Sequence, residues 1–318
     1  MHGLKAIFKK ELSDHFSSYR FMILFALITM VSLIIAYMVG MTMREELASV
    51  AKPKYVFLML FTSRGGLFSL VQFIAFFGPL IGLILGFDLI NRERNEGTLS
   101  RLLSQPVYRD SVINGKFLAG VVTISIMMVS IVLLITGLGL RMAGVIPGLD
   151  EVWRIGIYLV ISIIYISFWL GVAILFSILF RGIATSALGA LAVWIFFSFF
   201  VPLGATIIAD ALVPDLNPNN PEAIIKHAKI QKAISLVSPM QLYTDATGTI
   251  IDPTRKTTRT VVLMGPLEKL SQARFAGPLT IGLSLLVVMP YILLLIAITA
   301  ICFAISYTIF MRQEIRSL

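Results

Sequence analysis

The stretch that decides the fold runs from Asp88 to Lys116, DLINRERNEGTLSRLLSQPVYRDSVINGK, and is the most charged part of an otherwise apolar chain. It separates two long apolar runs, each of the length that a membrane crossing requires. We therefore expect this stretch to emerge into water as a loop between two spans.

A short helix with one apolar face is predicted inside this loop. Gly97 interrupts the preceding helix, and Thr98 can cap a new one. Apolar side chains then follow at positions i, i+3 and i+4, namely Leu99, Leu102 and Leu103, and Pro106 ends the turn. Such a face can press against another protein or lie on the bilayer surface, and the pattern alone leaves both readings open.

Several residues of the loop stand at offsets found in one family: Glu96-Gly97-Thr98-Leu99, Leu102-Leu103, Pro106-Val107, Arg109 and Gly115-Lys116. Together they resemble the cytoplasmic loop of permease subunits of ATP-binding-cassette (ABC) exporters of the type 2 class. The resemblance implies that the loop carries a coupling helix, which sits in a groove of a separate ATPase subunit and transmits its closure to the membrane.

The same resemblance implies partners and contact residues. A cytoplasmic ABC ATPase subunit would hold ATP and Mg, with no cofactor in this chain, and a second copy of this permease or a related one would complete the exporter. We expect Glu93, Glu96 and Arg101 to make polar contacts with the ATPase, and Leu99, Leu102 and Leu103 to form the apolar anchor. The predicted contact loop comprises Glu93, Glu96, Gly97, Thr98, Leu99, Arg101, Leu102, Leu103 and Pro106.

The composition is that of a polytopic membrane protein. Hydrophobic residues make up 58% of the 318 residues and charged residues 14%, and the mean hydropathy is +0.91, whereas a soluble domain has about 25% charged residues. Six apolar runs are long enough to span a bilayer: Phe21 to Met43, Leu67 to Ile90, Phe117 to Leu140, Val152 to Phe180, Ala184 to Leu212 and Pro278 to Phe310.

The net charge of +9 is interpreted as a topology signal and not as a nucleic-acid footprint, because the basic residues stand at the ends of spans. They concentrate in the segments that are inside if the amino terminus is inside. We therefore predict a multi-pass protein of the cytoplasmic membrane with both termini cytoplasmic.

An amphipathic helix is predicted before the first span. Leu4, Phe8, Leu12 and Phe16 recur every four residues, while lysines occupy other positions of the helical wheel. We expect this segment to lie in the membrane interface among lipid headgroups, as the elbow helix of the resembled family does. No cleavable signal peptide is apparent, so the first span should remain in the membrane.

The second span carries Gly78, Gly82 and Gly86, four residues apart, with Pro79 beside the first. Small residues at this spacing favour close packing against another helix. The alternative is a flexible, pore-lining helix directly above the coupling loop.

Between spans five and six the composition becomes polar, from Val213 to Gly277. Prolines and asparagines precede an amphipathic helix from Glu222 to Val237, and we expect a small outer helical insertion. The segment with Ser238-Pro239, Leu242-Tyr243 and Thr247 is similar to outer loops of the copper-enzyme-maturation and sodium-efflux permease group.

Catalytic and ion-coupling patterns are not evident. The three histidines stand outside the predicted spans without a second ligand at metal-site spacing, and Gly115-Lys116 lacks the rest of a nucleotide-binding loop. The centres of the spans hold few polar groups, of which Gln72 is the most prominent. We therefore expect no enzyme in this chain and an energy source in a partner.

The sequence thus predicts an all-α, six-spanning permease subunit of an ABC exporter. Its parts are an interfacial helix at 1–20, spans one to five at 21–212 with the loop 91–116, an extracytoplasmic domain at 213–277, and a sixth span with a short tail at 278–318. The alternative is a membrane sensor or scaffold whose outer domain binds a partner. Apolar spans suit a lipid, a peptide or a hydrophobic drug, and the substrate remains open.

Overall fold

The computed structural model describes residues 2–49, 55–62, 69–99, 108–144, 146–214, 221–253 and 278–313. The described residues form helices and connecting turns, with no strand among them. The α-helices are α1 (His2–Ser17), α2 (Tyr19–Ser49), α3 (Leu70–Gly86), α4 (Asn91–Asn95), α5 (Arg109–Ala143), α6 (Leu149–Leu179), α7 (Ile183–Ile195), α8 (Val201–Leu212), α9 (Pro221–Ser235), α10 (Pro239–Ile251) and α11 (Ile281–Arg312). A 3₁₀ turn occupies Phe57–Leu60, and a π-helical turn at Phe196–Phe200 joins α7 to α8.

Six helical stretches are long and apolar enough to cross a membrane: Tyr19–Thr42, Leu70–Asn95, Arg109–Met142, Leu149–Leu179, Ile183–Leu212 and Ile281–Arg312. Each overlaps one of the six apolar runs of the sequence, so the all-α, six-span prediction is confirmed. One end of the bundle carries α1 and residues 88–99 and is called the loop end below. The opposite end carries residues 55–62 and 146–149.

Helix α6 stands at the centre of the bundle, because it packs against α3, α5, α7, α10 and α11. Its inward aromatic side chains, Tyr158, Tyr165 and Trp169, are completely buried. The Tyr165 hydroxyl donates to the carbonyl of Ala75 at 2.7 Å, which joins α6 to α3 near the start of the latter. Four of the other five spans therefore take their position from one helix.

The three glycines of the second span face α6. A Cβ built on Gly82 would meet the carbonyl oxygen of Ile166 at 2.6 Å and the backbone nitrogen of Leu170 at 2.7 Å. A Cβ on Gly86 would meet that of Ala173 at 2.6 Å. At these points the two backbones are so close that only the hydrogen atoms of glycine fit between them. Small residues are what permit such a close approach of two helices.

Gln72 does not lie at the centre of its span. Helix α3 begins at Leu70, and Gln72 stands in its first turn, where it forms a capping box with Ser69. The Ser69 hydroxyl accepts from the N–H of Gln72 at 3.0 Å, and the Gln72 side chain accepts from the N–H of Ser69 at 3.1 Å. The polar side chain therefore serves the end of the helix and not a site at bilayer depth.

The fifth span contains a backbone irregularity with a clear cause. In the π turn the N–H of Val201 bonds to the carbonyl of Phe196, and the next residue, Pro202, has no N–H to offer. The carbonyl of Phe197 therefore lacks a donor within its own helix. The hydroxyl of Ser238 supplies one at 2.8 Å, so the turn between α9 and α10 is fixed to the middle of the fifth span.

Helices α9 and α10 form a hairpin that folds back along the spans. Helix α9 packs on α8, and α10 packs on α6, α11 and α3. The ring of Tyr243 on α10 stacks on Tyr165 with centroids 4.5 Å apart. At about 1.5 Å per residue, Tyr165 lies roughly 24 Å from the first residue of α6. Within the described part of the segment 213–277, α10 thus packs among the spans, whereas α9 lies along α8. The extracytoplasmic position of this segment stays a prediction.

The opposite end is held together by Glu151 and Arg154 on α6. Glu151 accepts from the N–H groups of Phe57 at 2.9 Å and of Gly148 at 2.9 Å. The fully buried Arg154 donates to the carbonyls of Ile250 at 3.0 Å and Leu279 at 2.6 Å. The start of α6 therefore joins the 3₁₀ turn, the end of α10 and the approach to α11.

We expect Gly82→Ala to destabilise the protein by about 1–3 kcal/mol, because a methyl group there meets backbone atoms of α6 that cannot move aside singly. Equilibrium unfolding of the purified chain in mild detergent measures the effect. Gly137→Ala on α5 is the matched control, since a Cβ there meets nothing within 4 Å. Equal unfolding free energies for the two variants would contradict the close packing of α3 on α6.

Candidate functional site

The candidate site is the loop end, where the chain leaves α3 and turns toward α5. Helix α4 ends at Asn95, and Gly97 follows with φ 68°, a left-handed conformation that favours glycine. The Thr98 hydroxyl donates back to the carbonyl of Glu93 at 3.2 Å. Of the predicted contact residues, Arg101, Leu102, Leu103 and Pro106 lie outside the described part of the chain.

A buried lysine anchors the loop. The Nζ of Lys116, on α5, lies 2.8 Å from Oε1 of Glu11 and 3.0 Å from Oε1 of Glu93. The side chain of Lys116 is only 2% exposed, and those of Glu11 and Glu93 are 6% and 12% exposed. Lys10 adds a second ammonium group, 3.1 Å from the same oxygen of Glu93. The cluster of these four residues, here the Lys116 cluster, joins α1, α4 and α5.

Helix α1 contributes to the cluster because it packs along α5. A Cβ on Gly115 would lie 2.9 Å from a side-chain carbon of Ile7, so the glycine before Lys116 lets α1 come close. Among the residues of α1 whose burial is described, Ile7, Glu11 and His15 are buried. The predicted apolar stripe is only partly covered, and Phe16 is 40% exposed.

Burial and charge act against each other at the carboxylate of Glu11. Burial is the largest single effect and favours the neutral form, but the attraction and hydrogen bonds of Lys116 and Lys10 outweigh it, so the pKa of Glu11 falls below its ordinary value. At Lys10 burial is again the largest effect, and Glu11 and Glu93 reverse it and raise the pKa of that ammonium group. Both shifts favour the charged forms of Glu11 and Lys10 at neutral pH. Burial lowers the pKa of His15, beside the cluster, which favours a neutral imidazole.

The loop residues separate into an inward set and an outward set. Leu99 is 1% exposed and belongs to the chain's own hydrophobic core, and Glu93 belongs to the Lys116 cluster. By contrast, Glu96 and Thr98 are exposed, and Glu96 pairs with Arg92 at 3.0 Å on the surface. In this conformation Glu93 and Leu99 hold the loop in place, whereas Glu96 and Thr98 are accessible to a partner.

Further bonds tie the loop to the turn between α6 and α7. The side chain of Asn91 donates to the carbonyl of Gly182 at 3.4 Å, and that of Asn95 donates to the carbonyl of Arg181 at 3.1 Å. The Ser177 hydroxyl accepts from the N–H of Asn91 at 3.1 Å. Gln313, after the last helix, joins the same group, since its side chain bonds to Arg94.

A cavity of about 790 Å³ opens beside the Lys116 cluster. Its walls come from α1, the start of α2, the end of α3 and the loop, and include Arg20, Asp88 and Glu96. Arg20 and Asp88 form an ion pair of 2.8 Å across its rim. Among the described residues no group of three or more His, Cys, Asp or Glu side chains is arranged to hold a metal ion.

In the sequence Lys116 stands out only as part of a motif, and nothing there indicates that it anchors the loop. Its partners Glu11 and Glu93 are distant in sequence, and no local spacing connects the three. The sequence holds no clear signal, since Lys116 directly precedes the apolar run from Phe117 to Leu140 and is there an ordinary charge at the end of a span.

We expect Lys116→Met to reduce the free energy of unfolding by about 1–3 kcal/mol, because it removes the buried member of the two cations that Glu11 and Glu93 share and leaves only the half-exposed Lys10 beside them. Equilibrium unfolding in detergent measures this loss. Lys9→Met, an exposed lysine of α1, is the control and should change little. Adding Glu11→Gln to Lys116→Met should restore part of the loss; a single variant as stable as Lys9→Met would show that the cluster does not stabilise the fold.

One known protein family matches almost the whole chain. No curated protein matches the sequence. The family described as ABC-2 family transporter protein matches residues 5–315, which covers nearly every described helix and the loop end. The match is to the family, and the similarity to the copper-enzyme-maturation and sodium-efflux subgroup stays a prediction. The chain therefore belongs to the ABC-2 family of transporter proteins, as a multi-pass membrane permease.

Proposed function

We propose that this chain is the membrane subunit of an ATP-driven exporter, and that a separate ABC ATPase docks on the loop end. The observation that carries the proposal is the anchoring of the loop by the Lys116 cluster. A loop that only connects two spans needs no buried ion pairs with two other helices, whereas a loop that receives force must be held rigidly. The export direction follows from the family resemblance.

The energy source in this proposal is the partner, which binds ATP and Mg. The chain supplies the docking loop and the spans, and a second copy of it or a related permease completes the transport pathway. Membrane lipid covers the remaining apolar surface, which is extensive on α2, α8 and α11. ATP-driven closure of the ATPases then displaces the loop, and α3 moves with it because the two are continuous.

The geometry divides the contact residues more finely than the sequence does. We assign Glu96 and Thr98 to the surface that meets the ATPase, because they are exposed. The sequence adds Arg101, Leu102 and Leu103, which follow directly. Glu93 and Leu99 are positioning residues, because they hold the loop against α1, α5 and the core. Their replacement should lower the stability of the folded protein, and docking only as a consequence.

The proposal places the loop end in the cytoplasm and the opposite end outside. The basic residues Lys5, Lys9 and Lys10 on α1, together with Arg92 and Arg94 on α4, belong to the loop end, as expected for cytoplasmic segments. This orientation also gives both termini a cytoplasmic position, since α1 and Gln313 lie at the same end.

We expect Leu102→Asp and Glu96→Arg each to reduce ATPase association at least tenfold, because one removes an apolar anchor and the other reverses a surface charge. Co-purification of the tagged chain from its native cells, with mass spectrometry of the accompanying proteins, measures this association.

The matched control for the loop variants is Ile146→Asp, which places the same charge on an exposed apolar residue at the opposite end. It should retain the ATPase. If the wild-type chain carries no ATPase, or if Ile146→Asp loses it as readily as Leu102→Asp, the docking assignment is wrong, and a sensor or scaffold becomes the better interpretation.

We expect a cysteine at position 146 to react with a membrane-impermeant maleimide on intact cells, and a cysteine at position 5 to react only after the membrane is opened. The variants are Ile146→Cys and Lys5→Cys in a Cys302→Ser background, since Cys302 is the chain's single cysteine and is buried. The reversed labelling pattern would invert the proposed topology.

A further inference from the structure

A second cavity, of about 490 Å³, lies among the fifth span, the α9–α10 hairpin and α11. Its polar lining includes Lys229, Lys232, Gln231 and Gln241, and its apolar lining includes Ile225 and Leu236. Cavities of this size are in the range that binds small ligands. Within the described part of the chain it is lined by none of the residues of the loop end, so it is separate from the proposed docking surface.

The cavity exists because α9 is held to α8 on one side, while a charged residue of α9 reaches across to α10. On the first side, Nε2 of His227 lies 2.7 Å from Oδ1 of Asp210, and the Gln231 amide donates to the Thr206 hydroxyl at 3.0 Å. On the second side, Lys232 forms an ion pair with the buried Asp245 of α10. These bonds fix both walls of the space between the two contacts.

The lining favours an anion. The lining residues include two lysines and, within the described part of the chain, no acidic residue. Asp245 stands behind Lys232 and accepts a second hydrogen bond from the Gln241 amide at 3.1 Å, so both of its oxygens face protein donors. The ammonium group of Lys232 also lies 5.6 Å from the centre of the Tyr291 ring, which holds the lysine on the cavity wall.

The position of the cavity favours an amphiphile over a free ion. Tyr291 lies about 15 Å along α11 from its first residue, and Thr206 lies about 9 Å from the end of α8. In a span of this length these positions are near the boundary between headgroups and hydrocarbon. Apolar lining comes from Ile225, on the same helix as the two lysines, and from Leu236, directly after the end of that helix.

We propose that this cavity binds the anionic head of an amphipathic molecule, a carboxylate or phosphate that carries a hydrocarbon chain, with Lys229 and Lys232 as the charged contacts. Lys232 is positioned by Asp245 and Tyr291, and Lys229 stands one helical turn before it on the same face of α9. The amides of Gln231 and Gln241 add neutral hydrogen-bonding groups. The site does not depend on the ATPase partner and stands even if the proposed transport function fails.

The test measures binding of a fluorescent fatty acid, 11-(dansylamino)undecanoic acid, to the full chain purified in a neutral detergent. Its methyl ester is the uncharged reference probe. We expect the acid to bind at least tenfold more tightly than the ester, and Lys229→Gln to weaken the acid about tenfold, since one charge-assisted contact is lost. Lys226→Gln, an exposed lysine of α9 outside the cavity, should leave the affinity unchanged.

Two further binding measurements test the charged contacts and the chemical class of the ligand. The pair Lys232→Gln with Asp245→Asn removes both charges together and avoids a buried unpaired carboxylate, and it should also weaken the acid. Competition with phosphatidylglycerol and with inorganic phosphate separates a lipid headgroup from a free anion. Equal affinity for acid and ester, equal effects of Lys229→Gln and Lys226→Gln, or full displacement by inorganic phosphate would each overturn the proposal. ATPase co-purification with Lys229→Gln tests the proposed function separately.

Discussion

Every backbone N–H and C=O group inside a bilayer needs a partner within the protein, and this requirement governs the bundle. The six long helices meet it by their own hydrogen bonds, and the exceptions are met by specific side chains. The carbonyl of Phe197, left without a donor by the π turn and Pro202, receives one from Ser238. The first turn of α3 is completed by Ser69 and Gln72. The first bond ties the turn between α9 and α10 to the fifth span, and the others define where α3 begins.

The two ends of the bundle use charge in different ways. At the loop end, Lys116 lies between two carboxylates that come from distant parts of the chain, so the ion pairs determine where α1 and the loop lie relative to α5. At the opposite end, Arg154 donates to backbone carbonyls instead. Both residues are buried, and both are costly to leave without partners. At each end a buried cation therefore holds neighbouring segments together.

The six spans were predictable from sequence, because long apolar runs satisfy the length rule without knowledge of tertiary contacts. The packing of α10 among the spans was not predictable, because Lys232 and Asp245, each considered alone, indicate a segment exposed to solvent. The ion pair between them is what allows the segment to pack against the spans. A pair formed across a turn leaves no pattern in the local sequence that would predict it. For the same reason Glu93 was predicted as a contact for a partner, although the structure pairs it with Lys116. The turn at Gly97 was predictable, since its left-handed φ reflects a preference of the residue itself.

The contact of Gly82 and Gly86 with α6 has a mechanical consequence. Two helices whose backbones are in contact cannot slide or roll against each other without steric clashes. We therefore expect α3 and α6 to move as one rigid body. Helix α6 is about 46 Å long at 1.5 Å per residue. This rigid body is continuous with the loop at one end, and it carries Glu151 and Arg154 at the other. A tilt of about 5° at the loop would therefore move the other end by about 4 Å, so the end of α10 and the approach to α11 must move with Arg154 or lose its hydrogen bonds.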